Sequence, residues 1–113
     1  MKRRYVLAPE AARDLASIWR FTKEQSSIEM ADRVEAGIRE KLVFLAANPE
    51  CGHWRKDLTS QPVKFFTVYS YLIVHRPGTR PLQIAAILHG QRNLKRLLGR
   101  RLPPLAYPSD PSA

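Results

Sequence analysis

Residues Val63 to Arg76 read VKFFTVYSYLIVHR, and the fold turns on this stretch. It is dense in aromatic and β-branched residues, which fit the pleated, half-buried surface of a sheet. Two strands are predicted, about Val63 to Val68 and Tyr71 to Arg76, joined by a tight turn at Tyr69-Ser70. The overlapping residues 76–81, RPGTRP, are turn formers. LQIAAILH, ending at His89, then supplies a last strand.

Upstream the period is different. RRYVLA (Arg3 to Ala8) reads as a short strand with Tyr5 and Leu7 on one face and Val6 on the other. Pro9 suits the first turn of a helix, where its missing N–H costs nothing. Glu10 and Asp14 lie near the positive end of that helix dipole. Ala11, Leu15, Ile18, Trp19 and Thr22 keep helical spacing, so a helix is expected over Pro9 to Gln25, with Trp19 in the core. Ser26 and Glu29 read as a capping box that opens a second helix. Its stripe is Ala31, Val34, Ile38, Leu42 and Leu45, and Asn48-Pro49 ends it. The two helices form a hairpin over one shared apolar face.

The predicted fold class is therefore α+β, in the order β-α-α-β-β-β, with the helical hairpin packed on one face of an antiparallel sheet. The other sheet face is expected to stay available. After the last strand, NLKRLL makes one or two helical turns stopped by Gly99. Residues 1–101 form a single domain, and residues 102–113 a Pro-rich flexible tail.

The chain has 113 residues, 44% hydrophobic, enough for one modest core. No apolar run approaches the roughly 20 residues of a membrane span. The first residues, MKRRYVLAPEAARDL, hold only a brief apolar run and do not make a signal peptide. The lone Cys51 forms no internal disulfide, as in a reducing compartment. A cytoplasmic, bacterial protein is expected.

The net charge is +9 and unevenly spread. Nine of the ten carboxylates lie at or before Asp57, and Leu58 to Ser109 carries eight Lys or Arg and no Asp or Glu. Such a one-sign field raises encounter rates with acidic partners, whether nucleic acid or an acidic protein segment.

The candidate chemistry is limited. Cys51 and His53 make a two-ligand bite with no second pair, short of the four ligands of a structural zinc. No Gly-rich phosphate loop is present, and paired carboxylates are missing from the basic half, which disfavours magnesium nuclease chemistry. No metal or cofactor is expected. A set of His, Arg and Lys remains, which suits metal-free cleavage of RNA: a base for the 2′-OH and cations for the phosphorane. Its candidates are Arg55, Lys56, Lys64, His89 and Arg92. His75 reads as an ordinary strand residue facing solvent or a neighbour. Trp54, in the basic loop GHWRKDL, reads as packing under that loop, with stacking on a base as the alternative.

In order and spacing, four pieces resemble the RelE/ParE toxin superfamily of type II toxin–antitoxin systems: YVLAPEAARDLASIWRFT, LAANPECGHWRKDL, FFTVYSYLIVHR and IAAILHGQRNLKRLL. The resemblance covers roughly Tyr5 to Arg101 and implies a helical hairpin on an antiparallel sheet. RelE-like members are ribosome-dependent mRNA endonucleases, with a Tyr or His near the C-terminal end. ParE-like members inhibit DNA gyrase and carry an HG-x-R stretch before a short C-terminal helix. Here His89-Gly90-Gln91-Arg92 precedes NLKRLLGRR, and no Tyr or His follows Gly90 until Tyr107. The ParE-like reading is therefore preferred: a plasmid-stabilisation toxin without catalysis. Its target-binding residues would be His89, Arg92, Lys95, Arg96, Leu97, Leu98, Arg100 and Arg101. The implied partners are DNA gyrase and an acidic cognate antitoxin in a heteromeric complex. The alternative is a RelE-like ribonuclease acting on mRNA at the ribosome.

Overall fold

The computed structural model describes residues 4–90 and 93–102. The elements are β1 (Tyr5–Leu7), α1 (Pro9–Gln25), α2 (Ile28–Ala47), β2 (Lys64–Val68), β3 (Tyr71–Arg76), β4 (Leu82–His89) and α3 (Leu94–Arg101). The expected α+β order is present. The four strands lie in the order β1-β4-β3-β2. β2, β3 and β4 are antiparallel neighbours, whereas β1 joins β4 in parallel. The sheet is thus mixed, not wholly antiparallel. β4, third in an alternating meander, runs in the same sense as β1, and β1 pairs with it alone.

Local chemistry accounts for the ends of the helices. Pro9 opens α1. The Ser26 N–H donates to the Thr22 carbonyl and closes that helix, so Ser26 is not the cap of the next one. Ser27 is the cap, its Oγ accepting the Met30 N–H at 3.0 Å. Met30 then stands where a capping box needs Glu or Gln, so the predicted box gives way to a single Ser27 cap. α3 does not stop at Gly99 but continues to Arg101, because Leu98 and Leu102 are both held in the core.

Two apolar layers sandwich the sheet. On the inner face, Ile73, Ile84 and Ile87 meet Leu15 and Ile18 of α1 and Ile38, Leu42 and Leu45 of α2. Val34 is only half-buried. Trp19 is not core either: it is half-buried, and its Nε1 donates to Asp32 Oδ1 at 2.9 Å, tying α1 to α2. On the outer face, Val63, Phe65, Val74, Ala86 and Leu88 pack with Leu98 and Leu102. The outer face expected to stay available is therefore largely covered by α3 and the loop before β2. Alternate side chains of strands point to opposite faces, and here both sets are apolar. One domain boundary shifts as well, since Leu102 packs with the domain. The predicted tail otherwise falls on residues 103–113, outside the described residues.

The loop between α2 and β2 is fixed by Gly52. Its φ of +101° suits glycine, and a Cβ there would meet the Phe65 carbonyl oxygen at 2.8 Å. His53 then pairs with Phe65 through two backbone hydrogen bonds of 2.9 Å. Across the β2–β3 turn, Tyr69 has φ +54° and lays its ring on Gly37 of α2, where any Cβ would collide with the phenol.

Candidate functional site: the C-terminal helix and its flanking grooves

α3 is amphipathic, and the fold fixes which of its faces is free. Leu98 is 1% exposed and Leu94 packs beside it, against the outer layer. Lys95, Arg96 and Arg100 face solvent. The far end is pinned to α1. The Arg101 guanidinium donates to both Asp14 carboxylate oxygens, at 3.2 and 2.6 Å, and forms an ion pair with Glu10. These hydrogen bonds hold the Arg101 pKa above its already high ordinary value. Asp14 Oδ2 also accepts the Ile87 N–H at 3.0 Å, on the edge of β4 that β1 leaves unpaired. One carboxylate thus joins helix, strand and C-terminal helix.

Between α1, β4 and α3 runs a groove of about 430 Å³, lined by Ile18, Phe21, Tyr71, His89 and Leu97 among others. His89 meets Tyr71 edge to face, with ring centroids 5.6 Å apart. Of the predicted target-binding residues, His89, Lys95, Arg96, Leu97 and Arg100 surround this end of the molecule. Leu98 is taken up by the core and Arg101 by its ion pairs. Arg92 lies outside the described residues.

The ribonuclease candidates do not come together. Lys64 sits opposite His75, which sits opposite Ile84. His89 lies five residues further along β4, about 17 Å away at the rise of an extended strand. Lys64 is buried: its Nζ donates to the Glu50 carbonyl at 2.6 Å and lies 5.0 Å from the Trp54 ring centroid. Arg55 is held by Asp57 through hydrogen bonds of 3.0 and 2.8 Å, which push the Asp57 pKa down. Lys56 is exposed. Among the described residues, no groove joins His89 with Arg55, Lys56 or Lys64.

His75 faces a neighbour rather than solvent, the second of its two expected placements: it is 0% exposed. Its Nε2 lies 3.1 Å from the Pro49 carbonyl; a carbonyl only accepts, so Nε2 carries the proton. Burial pushes the His75 pKa down, and nearby Lys64 adds to this. Trp54 does not pack under its loop: it is 51% exposed. The sequence reading missed Asp14 as the anchor of α3. Arg101 is 87 residues away along the chain, and no local signal links the two. Among the described residues, no group of three His, Cys, Asp or Glu stands close enough to hold a metal. Nor, among those residues, is any helix long and apolar enough to cross a membrane.

Known proteins place this architecture. No curated protein matches the chain. Among solved structures, the chromosomal ParDE toxin–antitoxin system of P. aeruginosa superposes with a TM-score of 0.66 at 21% identity, over 75% of this chain and 92% of that one. That likeness shows a shared fold. The family model for the ParE toxin of the type II toxin–antitoxin system parDE matches residues 5–94, from β1 through the first residue of α3. With most of its length matched, the chain belongs to the ParE toxin family of type II toxin–antitoxin systems.

Proposed function

We propose that the chain inhibits DNA gyrase in the bacterial cytoplasm, serves in plasmid stabilisation, and is neutralised in a heteromeric complex by a cognate acidic antitoxin. One observation carries the choice of a non-catalytic mechanism: among the described residues, the candidates gathered on α3 form a binding surface. Lys95, Arg96 and Arg100 project from a helix fixed by Arg101 and Asp14, beside an apolar groove. Of the ribonuclease candidates, Lys64 and His89 lie apart, at opposite ends of the sheet. A rigid helix face with cations around an apolar anchor such as Leu97 suits recognition of a protein surface.

The test is a gyrase supercoiling assay with the purified chain, run beside ribosome-dependent cleavage of a reporter mRNA. Supercoiling should be blocked, and joint charge reversal of Lys95, Arg96 and Arg100 should relieve the block while His89→Ala leaves it in place. Cleavage of mRNA without an effect on gyrase, lost in His89→Ala, would replace this reading with the RelE-like one. A general acid or base typically contributes about 10²–10⁴-fold in rate, so its loss would be plain.

A further inference from the structure

Trp54 is held in place while its ring is left open. Gly52 and the two backbone hydrogen bonds between His53 and Phe65 fix the chain just before it. The buried Lys64 ammonium, itself tied to the Glu50 carbonyl, stands 5.0 Å from the indole centroid. Attraction between a cation and a ring is stronger when the cation is desolvated. The indole is nonetheless 51% exposed. Beside it opens a pocket of about 500 Å³, lined by Lys56, Thr59, Ser60 and Pro62 among others. No carboxylate is in that lining, and among the described residues Lys56 forms no ion pair. Arg55 also lines the pocket, its charge met by Asp57. Thr59 Oγ1 accepts the Gln61 N–H at 3.1 Å, which leaves its own proton to donate. A further cation comes from α3. Leu58 of this loop and Leu94 pack against the same outer cluster, which brings the neighbouring Lys95 to the loop. The Asp57 pKa is held down by the Arg55 hydrogen bonds first, and by the charge of Lys95 as well.

We infer that this pocket takes an unpaired nucleotide of a single-stranded nucleic acid, its base stacked on Trp54, its phosphate on Lys56 and a neighbouring phosphate on Lys95. Cations in a lining without carboxylates select an anion. The open indole selects the kind of anion. A base offers a flat π-face that covers the ring, which an aspartate or glutamate side chain does not. The Thr59 and Ser60 hydroxyls supply donors for base-edge carbonyls or phosphate oxygens. The base must be unpaired, because the bases of a duplex are already stacked on one another and cannot lie on the ring. Every base has such a face, so little sequence preference is expected. No histidine lines the pocket, and binding alone is inferred. The site lies beside the α3 face proposed for gyrase and does not depend on that reading.

The experiment uses the full chain and fluorescein-labelled dodecamers of thymidylate and of uridylate, followed by anisotropy. Binding should weaken as salt rises. The tighter of the two identifies the strand as DNA or RNA, and either sustains the inference. Trp54→Leu should weaken binding by about 5- to 150-fold, whereas Trp54→Tyr should keep most of the affinity. Lys56→Gln and Lys95→Gln should each lower the slope of log affinity against log salt by about 0.7, the value for one phosphate of a single strand. The same change at Lys23 of α1, on the inner side of the sheet, should leave that slope as in the parent. Thermal melts establish that each variant is folded. No binding of either strand, or unchanged affinity in folded Trp54→Leu, would overturn the inference. So would an equal loss of slope at Lys23, which means diffuse attraction to a basic protein, or equally tight binding of a duplex of the same length. Displacement of the strand by a glutamate dodecapeptide as readily as by unlabelled thymidylate would assign the surface to an acidic protein segment instead. Equal displacement by thymidine monophosphate would assign it to a free nucleotide.

Discussion

The two faces of the sheet are built by different means. The inner face is closed by two long helices, α1 and α2, whose apolar stripes meet Ile73, Ile84 and Ile87. The outer face is closed by a loop and eight residues of α3, through Leu98 and Leu102. α3 needs an added fastening, the Arg101 ion pairs with Asp14 and Glu10. The inner layer is the scaffold, held by area. The outer layer is held at a few points, and the binding candidates sit there. Regions that bind partners are commonly drawn from the less stable part of a fold.

The sharpest way to break this contrast is to truncate one leucine on each side. Leu42→Ala, in the inner layer, should cost about 2–5 kcal/mol in chemical denaturation, from lost transfer energy and the residual cavity. Leu98→Ala should fall at the bottom of that range, about 2 kcal/mol, because a short terminal helix can settle into the space. Equal costs would mean that the two layers are equally committed to the fold. Next in size, Asp14→Asn should cost about 1–3 kcal/mol, as expected for hydrogen bonds to a charged group. It should also speed hydrogen exchange at the Ile87 amide; unchanged exchange would show that Asp14 does not guard that strand edge.

The smallest effect concerns pH and belongs to the inner side. His75 has its folded pKa depressed by burial below the ordinary value of 6.5. The unfolded chain therefore binds the proton more readily than the folded one. Stability should be flat above about pH 6.5 and fall as the pH drops through it, by at most about 1.4 kcal/mol per pH unit. The fall ends below the folded pKa. The measurement is a denaturant midpoint from pH 8 to pH 5, and His75→Gln should flatten the part due to this residue. A slope that survives that substitution would assign it to the carboxylates.

What was legible in the sequence divides along the same line. α1, α2 and the three meander strands follow from periodicity, because each buries one stripe or one face in register with its own sequence. Trp19 was misplaced because its spacing fits the stripe, while its indole N–H needs a polar partner and finds Asp32 across the hairpin. His75 was left facing either solvent or a neighbour, because strand alternation does not reveal that the loop after α2 folds over it through Pro49. Gly99 looked like a helix stop because the packing that carries α3 past it comes from the far side of the sheet. The candidate site was half legible. Lys95, Arg96, Leu97 and Arg100 stand together in sequence, whereas Asp14, which pins the helix that carries them, joins them only in three dimensions.

Asp14 has a consequence for how the molecule behaves in a crowd. β1 covers only Leu82 to Ile84 of β4, so the rest of that strand offers an open edge. Open edges invite pairing with other chains, and from there aggregation. By taking the Ile87 N–H for itself and drawing Arg101 across, the Asp14 carboxylate leaves an incoming strand a charged cluster where it needs a free donor. A single acidic side chain in a strongly basic protein thereby occupies the donor through which a neighbouring strand would pair at this position.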